Sequence, residues 1–128
     1  MTKNIKIASG PVIIEKGRVL LNRDADDDFW KFPGGVIKKQ DLKRIALALE
    51  ETAKREVKEE LGIGIKIIRP LKPMLIKSGR TYYCLIHYLA KRVGKIKMGG
   101  DTLEWRWFPL KQLPKNLAPN IQPVLKSI

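Results

Sequence analysis

Three carboxylates crowd into the segment Arg55-Glu56-Val57-Lys58-Glu59-Glu60-Leu61-Gly62-Ile63. On a helix Glu56 lies one turn before Glu59 and Glu60, at i+3 and i+4, so all three project from one side. Like charges at that spacing repel and disfavour the helix. A merely solvated acidic face would interleave lysines, as Glu50, Glu51 and Lys54 do just upstream. Something cationic has to compensate, and a hard divalent ion with oxygen ligands is the natural candidate. Taken alone, an acidic helix face is more often a solvated surface, and spacing leaves both readings open. Arg55 stands four residues before Glu59, within reach to orient it. Upstream, Pro33-Gly34-Gly35 removes the Cβ atoms and lets the backbone approach a ligand closely.

The elements that must hold these groups can be read from periodicity. Residues 41–61 turn helical: Ile45, Leu49, Ala53, Val57 and Leu61 form an i, i+4 apolar stripe, supported by Leu42 and Ala46. Asp41 is placed to N-cap that helix and Gly62 to end it. Strand-like runs cover residues 3–8 and 11–15, the latter turning at Lys16-Gly17 into 18–23. Further runs lie at 63–69, 74–77, 81–90 and 103–108, with a turn at Ser78-Gly79 and a short helix near 120–127. The sum is an α+β chain, one domain over residues 1–128: a mixed, largely antiparallel sheet carrying one long and one short helix.

Composition narrows the function classes. A chain of 128 residues with 44% hydrophobic content suffices for one packed core. Mean hydropathy is −0.23, and no apolar run approaches the roughly 18 residues of a membrane span. The N-terminal residues lack the pattern of a signal peptide. Cys84 is the one cysteine, so no intrachain disulfide can form and the cytoplasm is the expected compartment, with no membrane partner. The balance of 26 Lys+Arg against 13 Asp+Glu gives +13, which attracts polyanions, nucleotides and RNA among them. No acidic residue falls between Leu61 and Gly100, where nine lysines and arginines do: Lys66, Arg69, Lys72, Lys77, Arg80, Lys91, Arg92, Lys95 and Lys97. A lysine-rich solvated surface and a phosphate-attracting face both fit that stretch.

The segment at 55–63 matches the second half of the Nudix box, Arg-Glu-aliphatic-any-Glu-Glu-any-Gly-aliphatic, at every defined position. Phe32-Pro33-Gly34-Gly35 resembles the segment that opens the box, and residues 104–114, around Trp105 and Trp107, resemble the tryptophan-centred segment late in Nudix domains. The resemblance runs from roughly residue 10 to the last residue. It implies a Nudix-like α/β/α sandwich and a Mg²⁺-dependent hydrolase, with Mn²⁺ as an alternative, that cleaves a diphosphate bond in a nucleotide-like substrate. It further implies Glu56 and Glu60 as principal metal ligands, with Glu59 contributing and the Gly35 carbonyl completing the shell. The base that activates water would be, in order, Asp101, Glu59 or Glu104, and Arg55 would orient the carboxylates. Trp30, Phe32, Arg80 and Tyr82 are the candidates for holding substrate; Trp30, Tyr82, Phe29 and Tyr83 are aromatics able to stack on a base, although a buried or half-buried strand aromatic fits each of them slightly better.

One departure stands out. Counted from Gly35, the outer glutamate of the box falls on Asp41 and the arginine on residue 49, yet the arginine is Arg55, six residues late. Counted back from Arg55, the glutamate position is Leu47. Residues 38–49 therefore contain an insertion, and Asp41, Glu50 or Glu51 would substitute for the missing acid.

Among nucleotide substrates, a nucleoside di- or triphosphate in a housecleaning role leads. Dinucleoside polyphosphate hydrolases carry a Trp-any-any-Pro-Lys-Gly motif, whose lysine is missing after Pro33, and Tyr82 misses their tyrosine position. Pro70 and Pro73 come too early for an ADP-ribose hydrolase. An RNA-binding or RNA 5′-end-processing protein is the reading the +13 charge adds, and the molecule would be a monomer or homodimer. The run from Asp24 to Asp28 fails as an EF-hand, because its sixth loop position is Phe29 and its twelfth Gly35. His87 has no second ligand at metal spacing, and Cys84 reads as a small core residue.

Overall fold

The computed structural model describes residues 4–128; residue 3, where the first strand was expected to begin, lies outside them. Seven strands form one sheet: β1 (Asn4–Glu15), β2 (Arg18–Asp24), β3 (Gly35–Val36), β4 (Gly64–Pro70), β5 (Met74–Ser78), β6 (Thr81–Val93) and β7 (Thr102–Pro109). The order is β4-β6-β1-β2-β7, with β3 added to β1 and β5 to β6. Only β1 and β6 run parallel, from Asn4 opposite Thr81 to Ile13 opposite Ala90; the other pairs are antiparallel. The mixed, mostly antiparallel sheet is the one the sequence implies. β1 is longer than expected, because Ser9 and Gly10 continue the strand instead of breaking it.

One helix covers each face. Against α1 (Ala48–Leu61) pack Ile13, Leu20 and Ile63, with Trp105 and Trp107 alongside. Against α2 (Ile121–Lys126) pack Val12, Val19, Leu21, Trp30, Phe32 and Phe108. A sheet buried on both sides needs apolar residues at consecutive positions, which is why β1 and β2 read as the unbroken runs Val12-Ile13-Ile14 and Val19-Leu20-Leu21. Cys84 is half-buried, more open than the core position expected of it. Among the described residues no helix is long and apolar enough to cross a membrane.

The main correction concerns the start of the long helix. It begins at Ala48, seven residues after the expected Asp41, and two 3-10 turns (Lys39–Lys43 and Ile45–Leu47) precede it. Leu42 and Ile45, counted in the apolar stripe, are 43% and 75% exposed, while Ala53, Val57 and Leu61 are fully buried. The inserted residues mimic helical periodicity but have no sheet beneath them to bury it. Gly62 does end the helix, in the left-handed conformation (φ 68°), with its N–H donating to the Lys58 carbonyl. The next orphan carbonyls are met by the loop before β7: Lys97 N–H donates to Leu61 O (2.7 Å) and Gly99 N–H to Glu60 O (2.9 Å).

Candidate active site

Helix α1 presents its carboxylates to the Gly34-Gly35 corner, and the fit is close. A Cβ on Gly35 would lie 2.2 Å from Glu56 Oε1, so any side chain there would push that carboxylate from its place. Gly34 (φ 147°) has a conformation that disfavours a side chain, and a Cβ there would meet the Ser9 carbonyl at 2.7 Å. Its N–H donates to Glu60 Oε1 (2.8 Å), tying helix to loop.

Glu60 is the least ordinary group of the set. It is 8% exposed, and burial pushes its pKa up to about 7, against the Gly34 N–H and the Lys31 charge, with Glu56 and Asp24 adding to the rise. Asn22 Nδ2 donates to its Oε2 at 3.4 Å, while Asn22 Oδ1 and Asp24 Oδ1 are buried without partners. Lys31 Nζ pairs with the other oxygen of Asp24 (2.6 Å). This oxygen-rich, under-compensated pocket fits a hard divalent cation, with Glu56, Glu59, Glu60 and the Gly35 carbonyl as available donors. Among the described residues no three acidic, histidine or cysteine side chains converge as they stand into a metal cage. Glu56 and Glu59 instead lean on Arg55, at 3.3 and 3.2 Å from Nη1.

Arg55 is itself held by Asp41. Its Nε and Nη2 donate to the two Asp41 oxygens at 2.8 and 2.9 Å, and Nη2 reaches the Val36 carbonyl at 3.3 Å. Asp41 also accepts from Thr52 Oγ1 (2.8 Å) and the Lys38 N–H (2.9 Å). The Arg55 guanidinium draws the Asp41 carboxyl down to about 2 despite its burial, and Asp41 in turn raises Arg55. Counting from Gly35 therefore found the acid that partners Arg55, and the six extra residues lie between the two. Asp41 is the third residue of the first 3-10 turn, where it accepts from the Lys38 N–H, and it does not cap α1. Of the alternatives, Glu51 pairs with Arg44 on the surface (2.8 Å), and Glu50 joins no ion pair among the described residues.

The candidate bases separate clearly. In β2 and β7, Asn22 lies opposite Trp105 and Arg23 opposite Glu104. Cross-strand partners share a face, so Glu104 faces away from α1, where Arg23 holds it at 2.6 Å. Asp101 is exposed, on the loop that closes over the end of α1: Gly99 is so near the Glu59 carbonyl that a Cβ would come within 2.7 Å of it. Glu59 is on the helix itself, 46% exposed at its side chain.

Beyond the Gly34-Gly35 corner, on the α2 side, opens a cavity of about 360 Å³ lined by Phe29, Phe32, Tyr83, Lys31, His87 and Asn120, among others. Of the four residues expected to hold substrate, Phe32 is among the lining residues. Trp30 is not: it packs edge-on to Phe108 (4.8 Å between centroids) in the core, 6% exposed. Arg80 and Tyr82 do not line the cavity: Arg80 is in the turn before β6, and strand alternation on β6 turns Tyr83, Leu85 and His87 toward it instead of Tyr82. His87 is kept neutral, its pKa pushed down to about 4 by burial, and Asn120 Nδ2 donates to its Nε2 (3.4 Å).

Asn22, Lys31 and Asn120 were missed in the sequence. The signal for Asn22 was present: an amide in an apolar strand, two residues after Leu20 and so on the same face toward α1. Asn120 read only as the start of a helix, and Lys31 as a residue between two aromatics.

A model of the NUDIX domain family matches residues 5–128. A MutT-like protein of Streptomyces ambofaciens is 37% identical over 59 residues, 46% of this chain and 34% of that protein, so the match spans about a third of the relative's length. The fold is similar to a MutT NUDIX hydrolase of Burkholderia pseudomallei (TM-score 0.83, 24% identity, covering 98% of this chain and 99% of that one). It is also similar to a MutT protein of Methanosarcina mazei Go1 (0.82, 21%, 98% and 94%) and to the E. coli ORF135 protein (0.76, 20%, 98% and 89%). At these identities the structural likeness speaks for the fold alone.

Proposed function

The chain belongs to the NUDIX domain family, and from that premise we propose that it hydrolyses a diphosphate linkage in a nucleoside di- or triphosphate, in a housecleaning role, with Mg²⁺ or Mn²⁺. The observation that carries this reading is the buried Glu60 carboxylate at the Gly34-Gly35 corner, beside an aromatic-lined cavity of about 360 Å³. One side of the corner suits cations and phosphates, and the other is large enough for a nucleoside.

A bound divalent cation would supply charge neutralisation for the diphosphate and activation of the attacking water. Glu56, Glu59, Glu60 and the Gly35 carbonyl would hold it. Asp41 fixes the Arg55 guanidinium, which offsets the repulsion between Glu56 and Glu59 and holds both carboxylates beside it. Asp101, on the loop closing over the end of α1, is the base this reading favours, followed by Glu59. Glu104 is the weakest candidate, since it faces the opposite side of the sheet. Phe29, Phe32 and Tyr83 give the base its apolar and stacking surface, and Asn120 an amide to read its edge. The test is phosphate or pyrophosphate release from a nucleotide panel with Mg²⁺, in wild type and Glu60→Gln. Turnover of at least one nucleotide, abolished by the substitution, is expected. RNA binding with a steep salt dependence and no nucleotide turnover would replace this reading with an RNA-directed one.

A further inference from the structure

The residues inserted between Asp41 and Arg55 build a second concavity, of about 490 Å³, lined by Gln40, Lys43, Arg44, Glu51, Lys54 and Lys58, with Asp41 and Arg55 alongside. Glu51, Lys54, Arg55 and Lys58 are at i, i+3, i+4 and i+7 on α1, so they form one stripe. Facing that stripe are the 3-10 residues Gln40 and Lys43, with Arg44 just after them. The two acids are already committed, Asp41 to Arg55 and Glu51 to Arg44. Lys43, Lys54 and Lys58 are exposed and join no ion pair among the described residues. Lys54 and Lys58 repel each other at i+4, and Lys43 adds a third charge across the gap. A solvated lysine surface would spread such charges, whereas here they converge on one hollow. The hollow shares Arg55 with the carboxylates, since that guanidinium lines it and touches Glu56 and Glu59.

We propose that this cleft is a second anion subsite that takes phosphate groups of an oligophosphate. Three ammonium groups around a solvent-open hollow suit a flexible chain of phosphates, which each can meet as a point charge. The phosphates can come from the far end of a substrate held at Gly34-Gly35 or from a free inorganic chain. The binding requires no turnover, so its test is independent of the hydrolytic reading.

The probe is inorganic tripolyphosphate, titrated into the metal-free protein by calorimetry at low salt. Lys54→Gln/Lys58→Gln is expected to weaken binding about tenfold, as loss of two partly screened charge contacts requires. Glu51→Gln, which frees Arg44, is expected to tighten it a few-fold. The control pair Lys66→Gln/Lys72→Gln changes net charge equally, on β4 and in the loop after it, and should leave binding near wild type. All of these side chains except Glu51 are exposed, so the variants should fold. If the two pairs weaken binding alike, or neither does, the subsite is refuted. Where the cleft pair acts, steady-state kinetics assigns the source. A KM raised only for nucleotides with longer phosphate chains, at unchanged kcat, marks the substrate's own phosphates. An unchanged KM for every nucleotide marks a free oligophosphate.

Discussion

Replacing Asp41 with asparagine keeps the shape of the side chain and removes the charge on which Arg55 rests. The drop in the Asp41 pKa from 3.8 to about 2, at about 1.4 kcal/mol per decade, amounts to about 2 kcal/mol of stability. No large discount for solvent applies, since the side chains of Asp41 and Arg55 are 3% and 12% exposed. Because the folded pKa is depressed, this stability is present above the unfolded value of 3.8 and is lost as pH falls through it toward about 2. Asp41→Asn should therefore lower Tm at pH 7 by about 6–10 °C for a domain of this size. The gap between wild type and variant should close as pH falls from 4 to 2, since the wild-type carboxyl is then protonated too. Urea unfolding at pH 7, 5, 4 and 3, with Arg55→Gln and the double variant completing a cycle, measures both effects. A gap below about 0.5 kcal/mol at pH 7, or one that does not narrow toward acid, would refute the assignment of Asp41 as the anchor of Arg55.

Further substitutions probe other parts of the site. Gly35→Ala puts a Cβ where Glu56 Oε1 lies, so kcat should fall by about a hundredfold while the circular dichroism spectrum stays unchanged. Glu60→Gln should stabilise the metal-free protein at pH 8 by about 1–3 kcal/mol. The Glu60 pKa is raised from 4.5 to about 7, so its stability contribution is full below 4.5 and is lost as pH rises through 7. A glutamine keeps the Gly34 bond and offers the partnerless Asn22 Oδ1 a donor after an amide flip; chemical denaturation at pH 8 and pH 5, where the advantage should shrink, checks this. Tyr83→Ala should raise KM for the best nucleotide about tenfold with kcat within twofold, since that ring lines the cavity without reaching the carboxylates.

The carboxylate cluster was more legible in the sequence than the cavity beside it, for physical reasons. The α1 carboxylates, Arg55 and the Gly34-Gly35 corner are local in sequence, and their spacing alone fixes them on one helix face and one loop. Val57 and Leu61 likewise followed from periodicity, because the sheet beneath them imposes it. Leu42 and Ile45 carried the same periodicity but sit in 3-10 turns beyond the sheet, where no partner exists to bury them. The cavity is assembled from β1, β6, the loop after β2 and the start of α2, so nothing in any one segment announced it. Trp30 and Tyr82 were chosen as aromatics of the right type, but burial claimed the first and strand alternation turned the second away. The same alternation places Glu104 on the face away from α1, opposite Arg23.

The most direct test of the account follows turnover against Mg²⁺ concentration for wild type, Glu56→Gln and Glu104→Gln on one hydrolysed nucleotide. The α1 carboxylates are held to carry the cation, and Glu104 to be a surface partner of Arg23 on the opposite face. Glu56→Gln should lose at least about a hundredfold in kcat and need more Mg²⁺ to reach half its rate, while Glu104→Gln stays within a few-fold of wild type at the same Mg²⁺ dependence. Loss of activity in Glu104→Gln with Glu56→Gln near wild type would contradict the account.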